Sequence, residues 1–114
     1  MRNFNSIKKN SDFQNVYKNG KSYANRQLVM YVKQNNEKNS RIGISVSKKV
    51  GNSVVRHRLV RLVRESYRLN ENNLNQNVDI VVVVRVQAKD ADFHEICKSY
   101  LHLCKLHKIL KEME

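Results

Sequence analysis

The spacing of apolar positions changes several times along the chain, and each change marks an element. Residues 11–20, SDFQNVYKNG, repeat at the helical period, with Phe13, Val16 and Tyr17 on one face. Ser11 with Gln14 predicts a capping box, and Gly20 predicts the helix stop. The period then shortens to two. In residues 27–33, Leu28, Met30 and Val32 share one side and Val29 and Tyr31 the other, which predicts a strand. Residues 35–40, NNEKNS, read as a turn. Residues 41–47 alternate again, with Ile42, Ile44 and Val46 facing one way. The short connection predicts a hairpin of these two strands. Residues 21–24 leave room for a further short strand.

Helical spacing returns over residues 53–69, followed by a polar loop, NENNLNQN. Residues 78–86 are a nearly continuous β-branched run, which predicts a central strand buried on both faces. Residues 90–112 are helical in period, with Phe93, Ile96, Cys97, Tyr100, Leu103, Cys104, His107 and Leu110 on one side. The order α-β-β-(β)-α-β-α predicts an α/β (α+β) two-layer sandwich: a central sheet with helices packed on it.

A length of 114 residues suits one domain, residues 1–114, with one core. Its first ten residues, with Arg2, Lys8 and Lys9, read as a flexible basic arm. Charge changes the picture more than length does. With 22 Lys and Arg against 10 Asp and Glu, the net charge is +12. That excess predicts a polyanionic partner, RNA or DNA ahead of a membrane surface. The start, MRNFNSIKK, lacks the apolar core of a signal peptide, and no apolar run could span a bilayer. A soluble, cytoplasmic protein without a membrane partner is expected, and its two cysteines read as reduced thiols.

The basic residues concentrate in SKKVGNSVVRHRLVRLVRESYR, residues 47–68, where Glu65 is the single acid. On a helix, Val55, Leu59, Leu62, Val63, Ser66 and Leu69 form one broad arc suited to packing on the sheet. His57, Arg61, Arg64 and Arg68 form a narrow stripe on the other side, with Arg56 and Arg58 at its flanks. Lys48, Lys49 and Asn52 stand at its entrance. Aligned guanidinium groups repel one another unless an anion lies between them, and Arg binds phosphate with two parallel bonds. The helix N-terminus adds N–H groups to the same patch. A solvated helix face is the competing explanation, but such faces ordinarily mix signs.

The aromatic residues fit two readings. Phe13, Tyr17 and Tyr31 could border a groove where unpaired bases stack, or join the first helix to the sheet as core. Spacing favours core for Phe13 and leaves both open for Tyr17 and Tyr31. Enzyme chemistry is not evident: there is no glycine-rich phosphate loop, and Asp79, Asp90, Asp92 and Glu95 are scattered. His94 with Cys97 and Cys104 with His107 are spaced like ligand pairs. The pairs lie about 15 Å apart along one helix, too far for a shared tetrahedral site, and Cys97 and Cys104 are likewise too distant along it for a disulfide.

Two stretches, DFQNVYKNGKSYANRQLVMYV and RIGISVSKKVGNSVVRHRLVRLVRE, resemble the protein subunit of bacterial ribonuclease P. The second is the more specific. The resemblance implies a left-handed β-α-β crossover, against the usual hand. It implies two partners, a catalytic ribonuclease P RNA and precursor tRNA, whose 5′ leader that RNA removes. The chemistry is phosphodiester hydrolysis with Mg²⁺ held mainly by the RNA, and no DNA partner is expected. Carried over by position, Lys48, Lys49, Asn52, Arg56, His57, Arg58, Arg61, Arg64 and Arg68 would contact the catalytic RNA. Phe13, Tyr17, Arg26 and Tyr31 would border the leader. The resemblance implies no catalytic residue and no metal ligand in this chain. Two positions depart from the family pattern: His57 stands where Asn is usual, and Val60 where Lys is frequent. A ribosomal protein or general single-stranded RNA binder is the alternative. A DNA-reading helix has few Asn or Gln side chains to support it, and a protein-only nuclease lacks an acid cluster.

Overall fold

The β-branched run becomes the middle of the sheet. In a computed structural model, which describes residues 6–112, it forms β4 (Val78–Val84), lying between β2 (Leu28–Gln34) and β3 (Arg41–Val46). β1 (Lys21–Ala24) pairs outside β2, completing the order β1-β2-β4-β3. β2 runs antiparallel to both neighbours, and β3 runs parallel to β4. The expected hairpin of β2 with β3 therefore does not form. Six of the seven β4 residues are buried, on both faces. At an edge the strand would leave its valines in water, so β4 inserts between the two strands that are neighbours in sequence. The hairpin instead joins β1 to β2.

Three helices cover the sheet: α1 (Asn10–Asn19), α2 (Ser53–Asn70) and α3 (Phe93–Leu106). Leu28, Met30, Ile42, Ile80 and Val82 form the larger core with Leu59 and Val63 of α2 and Ile96, Tyr100 and Leu103 of α3. The opposite face carries α1. There Val16 packs on Val81 with Ile7, and Phe13, Tyr17, Tyr31 and Val83 gather around them. The sheet with packed helices is thus present, and its helices lie on both sides.

Several local expectations are corrected. The Ser11 capping box does not form: α1 begins at Asn10, and Lys9 caps it without a side-chain bond. Gly20 ends α1 with φ −89°, not in a left-handed turn. Glycine is required there by crowding, since a Cβ would lie 2.6 Å from the Val16 carbonyl oxygen and 2.8 Å from that of Val32. Part of the expected basic arm is docked. Ile7 is buried, its N–H donates to the Ile42 carbonyl at 2.8 Å, and Ser6 bridges to β3. Residues 1–5 of that arm lie outside the described residues.

On α2, Leu69 is 52% exposed whereas Tyr67 is wholly buried. The expected arc assumed that the sheet alone buries α2. α3 also packs on it and draws the buried stripe around to Tyr67. α3 starts at a capping box, in which the Asp92 carboxylate accepts from the Glu95 N–H and Glu95 accepts from the Asp92 N–H. It stops well before the expected residue 112. Lys108 turns the chain at φ 57°, and Lys111 donates its N–H to the Asn73 carbonyl at 2.7 Å.

Candidate RNA interface

The basic side chains of α2 differ in their exposure and in the partners they meet. Asn52 caps the helix, its amide oxygen accepting the Val55 N–H at 3.0 Å. The cap fixes where the first turn begins, and with it the direction of every arginine that follows. Lys48 and Lys49 are exposed in the preceding turn. His57, Arg61 and Arg64 are exposed in one line. Arg68 continues that line but meets the helix's one acid: its Nε donates to Glu65 at 3.0 Å, and a second N–H contacts the other carboxylate oxygen. Arg56 donates from Nε to the Gly51 carbonyl at 3.2 Å. Arg58 leaves the stripe and donates to the carbonyls of Ala91 at 2.8 Å and Lys89 at 2.6 Å. Val60 lines a small hollow with Phe13, Gly43, Ile44 and Arg64, so an apolar side chain here borders both α1 and the β3 edge.

The aromatic residues come together on the other face. Tyr17 meets Tyr31 edge to face, with centroids 4.9 Å apart, and Phe13 follows at 6.4 Å from Tyr17. The register puts Tyr31, Val81 and Gly43 in one row beneath them. A Cβ on Gly43 would lie 2.8 Å from the Phe13 ring, so glycine gives that ring its seat. Phe13 is thereby half-buried as a packing residue, while Tyr17 and Tyr31 keep part of their rings in solvent. Burial pushes the Tyr17 phenol above its ordinary pKa; a hydrogen bond with Ser45 opposes the shift and Tyr31 adds to it. Val29, Val83 and Ser45 form the next row, partly uncovered by α1. Sequence reasoning missed Ser45 and Gly43. Their signal was the alternation of β3, whose small residues Gly43 and Ser45 fall opposite its apolar ones.

Arg26 is exposed in the turn between β1 and β2 and does not join the aromatic group. It lines a groove of about 790 Å³ with Gln27, Lys89, Lys98, Ser99 and His102. A polar row holds the two faces in register. Arg41 pairs with the buried Asp79 and reaches Asp12 of α1 at 3.4 Å. Burial opposes ionisation of Asp79, but the bonds from Arg41 and Asn35 outweigh it and hold the carboxyl below its ordinary range.

An arginine helix on one side of a mixed sheet and a tyrosine cluster on the other define a class of small, basic α+β proteins. The comparisons with known proteins specify it. The model of the family Ribonuclease P matches residues 1–108. A ribonuclease P protein component from Lachnoclostridium phytofermentans is 57% identical over 109 residues, covering 96% of this chain and 94% of the relative. One from Clostridioides difficile is 51% identical over 100 residues, covering 87% and 88%. Among solved structures, the Staphylococcus aureus RNase P protein superposes with a TM-score of 0.87 at 42% identity, covering 96% of this chain and 100% of that one. The Thermotoga maritima RNase P protein gives 0.80 at 31% identity, covering 97% and 99%. The chain belongs to the ribonuclease P protein family, the protein component of a ribonucleoprotein endoribonuclease of tRNA processing.

Proposed function

We propose that this chain is the RNA-binding subunit of ribonuclease P and assists a catalytic RNA in removing the 5′ leader of precursor tRNA. The observation that carries the proposal is the line of exposed His57, Arg61 and Arg64 on α2, in a chain of this family. Guanidinium groups in a row answer the spacing of phosphates along an RNA strand. In this reading Lys48, Lys49, Asn52 and Arg56 extend the contact to the start of the helix, and Arg68 extends it beyond Arg64. His57 can still hydrogen-bond and stack where the family usually has an amide. The leader lies across the other face, its unpaired bases against Tyr17 and Tyr31, with Phe13 beneath them and Arg26 at the far end of β2.

Bond cleavage belongs to the RNA, which holds most of the Mg²⁺. Among the described residues no three His, Cys, Asp or Glu side chains gather as a metal site. The protein contributes affinity and charge compensation, which let the RNA fold and bind metal at lower Mg²⁺. Cytoplasmic location follows from this role. Among the described residues no helix is long and apolar enough to cross a membrane.

The test mixes the purified protein with its cognate catalytic RNA and precursor tRNA at low Mg²⁺. Faster removal of the 5′ leader is expected. Cleavage by the protein alone, or no effect on the RNA, would sink the proposal.

A further inference from the structure

We infer that Arg58 is a positioning residue, which clamps the segment between β4 and α3 against α2, and is not a phosphate ligand. The assignment deepens the RNA-binding reading and rests on it; the family resemblance by itself gives all five arginines of α2 the same partner. The geometry separates them. Arg58 lies on the flank of α2 nearest α3, and both terminal nitrogens of its guanidinium donate to main-chain carbonyls, Ala91 at 2.8 Å and Lys89 at 2.6 Å. Two donors of the planar fork, each held by an acceptor, fix its orientation. Turning it toward a phosphate would break both bonds and take a donor from the carbonyl of buried Ala91.

Those carbonyls need a partner for a local reason. Residues 85–92 form a chain of tight turns built on the 3-10 helix Val86–Ala88. Ala88 donates to the Arg85 carbonyl, Lys89 to that of Val86, and Ala91 to that of Ala88. The carbonyls at the end of such a turn point onward with no amide to meet them, and a cation there satisfies them. Ala88 and Ala91 are buried beside this bond. The capping box of Asp92 and Glu95 begins one residue later, so the same clamp sets where α3 starts. Lys89 and Ala91 also form the wall of the groove shared with Arg26 and Lys98. Arg58 thus holds one exposed lysine in place through two donors bonded within the protein.

The experiment compares full-length Arg58→Ala, Arg58→Lys and Arg61→Ala with the unaltered chain. Binding to the cognate ribonuclease P RNA is measured across a salt series, and amide hydrogen exchange is measured on the free protein. For Arg58→Ala, the slope of log affinity against log salt should stay unchanged, while exchange at residues 88–91 rises by about tenfold or more. Arg58→Lys keeps the charge but lacks the fork. It should show the same loss of protection, and it carries the test should the alanine variant fail to fold. Arg61→Ala should lower the slope by about 0.9, one phosphate equivalent, with protection intact. A slope that falls by about 0.9 in Arg58→Ala overturns the assignment, as does full protection of residues 88–91 in both Arg58 variants. An unchanged slope in Arg61→Ala would instead sink the reading of the stripe, with the exchange data still deciding Arg58.

Discussion

Arg41 and Asp79 face each other across the parallel pair of β3 and β4, joined by bonds of 2.9 and 2.7 Å between guanidinium and carboxylate. Asp79 is buried at the centre of the sheet, and Asn35 supplies a third bond at 2.8 Å. The same guanidinium reaches Asp12 on α1. One arginine therefore compensates a charge inside the sheet and ties α1 to the strand edge beside the aromatic cluster.

Removing the carboxylate leaves Arg41 paired with the half-buried Asp12 at 3.4 Å. Asp79→Ala should cost about 3 kcal/mol of stability, read as a lower midpoint in urea. The pH dependence has a definite sign, because the folded pKa of Asp79 is depressed. Its stabilisation is fully present above the unfolded value of about 3.9 and is lost as pH falls through the lower folded value. The stability gap between the unaltered chain and Asp79→Asn should therefore narrow below about pH 4. A gap of constant size down to acid unfolding would refute the ion pair as its source.

Gly43→Ala tests the seat of Phe13. The added methyl meets the ring and the Ile7 side chain at 2.8 and 3.1 Å, so α1 has to lift. Overpacking of this kind costs about 1–3 kcal/mol. Thermal unfolding should shift downward, and affinity for a precursor tRNA leader should weaken. Binding of the catalytic RNA through α2, on the opposite face, should change little.

Tyr17→Ala should remove a stacking surface and lower affinity for precursor tRNA by about 1–3 kcal/mol per base lost. Mature tRNA, lacking a leader, serves as the comparison. Tyr17→Phe keeps the ring but loses the Ser45 hydrogen bond, and should retain most of the affinity. Equal losses for precursor and mature tRNA would assign Tyr17 to packing alone.

The two cysteines should differ in reactivity. Burial pushes the Cys104 thiol up to about 12, so little thiolate forms near neutral pH. Cys97 is partly exposed on the same helix. A thiol reagent applied to the folded protein at about pH 8 should modify Cys97 first, with Cys104 following only on unfolding. Mass spectrometry of the labelled chain distinguishes the two.

Because burial writes itself into spacing, period revealed the three helices and the strands β2, β3 and β4, and gave no such signal for β1, exposed throughout. It also placed Leu28, Met30 and Val32 together in the core, and it separated His57, Arg61 and Arg64 from Leu59 and Val63 on α2. Where the reading went astray, a second neighbour had intervened. Leu69 and Tyr67 exchanged roles because α3, a later helix, also packs on α2. Gly20 does end α1, but glycine is required there by the carbonyls of Val16 and of Val32 in β2 and not by a left-handed turn.

The sequence by itself determined the elements, the excess of positive charge and its concentration on one helix face, since each depends on residues near one another in the chain. Only the tertiary structure decided strand order, the seating of Phe13 on Gly43, and which arginines have their donors spent within the protein. Those depend on partners distant in sequence: β4 entering between β2 and β3, and the carbonyls of Lys89 and Ala91 arriving beside Arg58. Hydrogen-bond geometry across such distances leaves no periodic trace, so five similar arginines in the sequence become different residues in the fold.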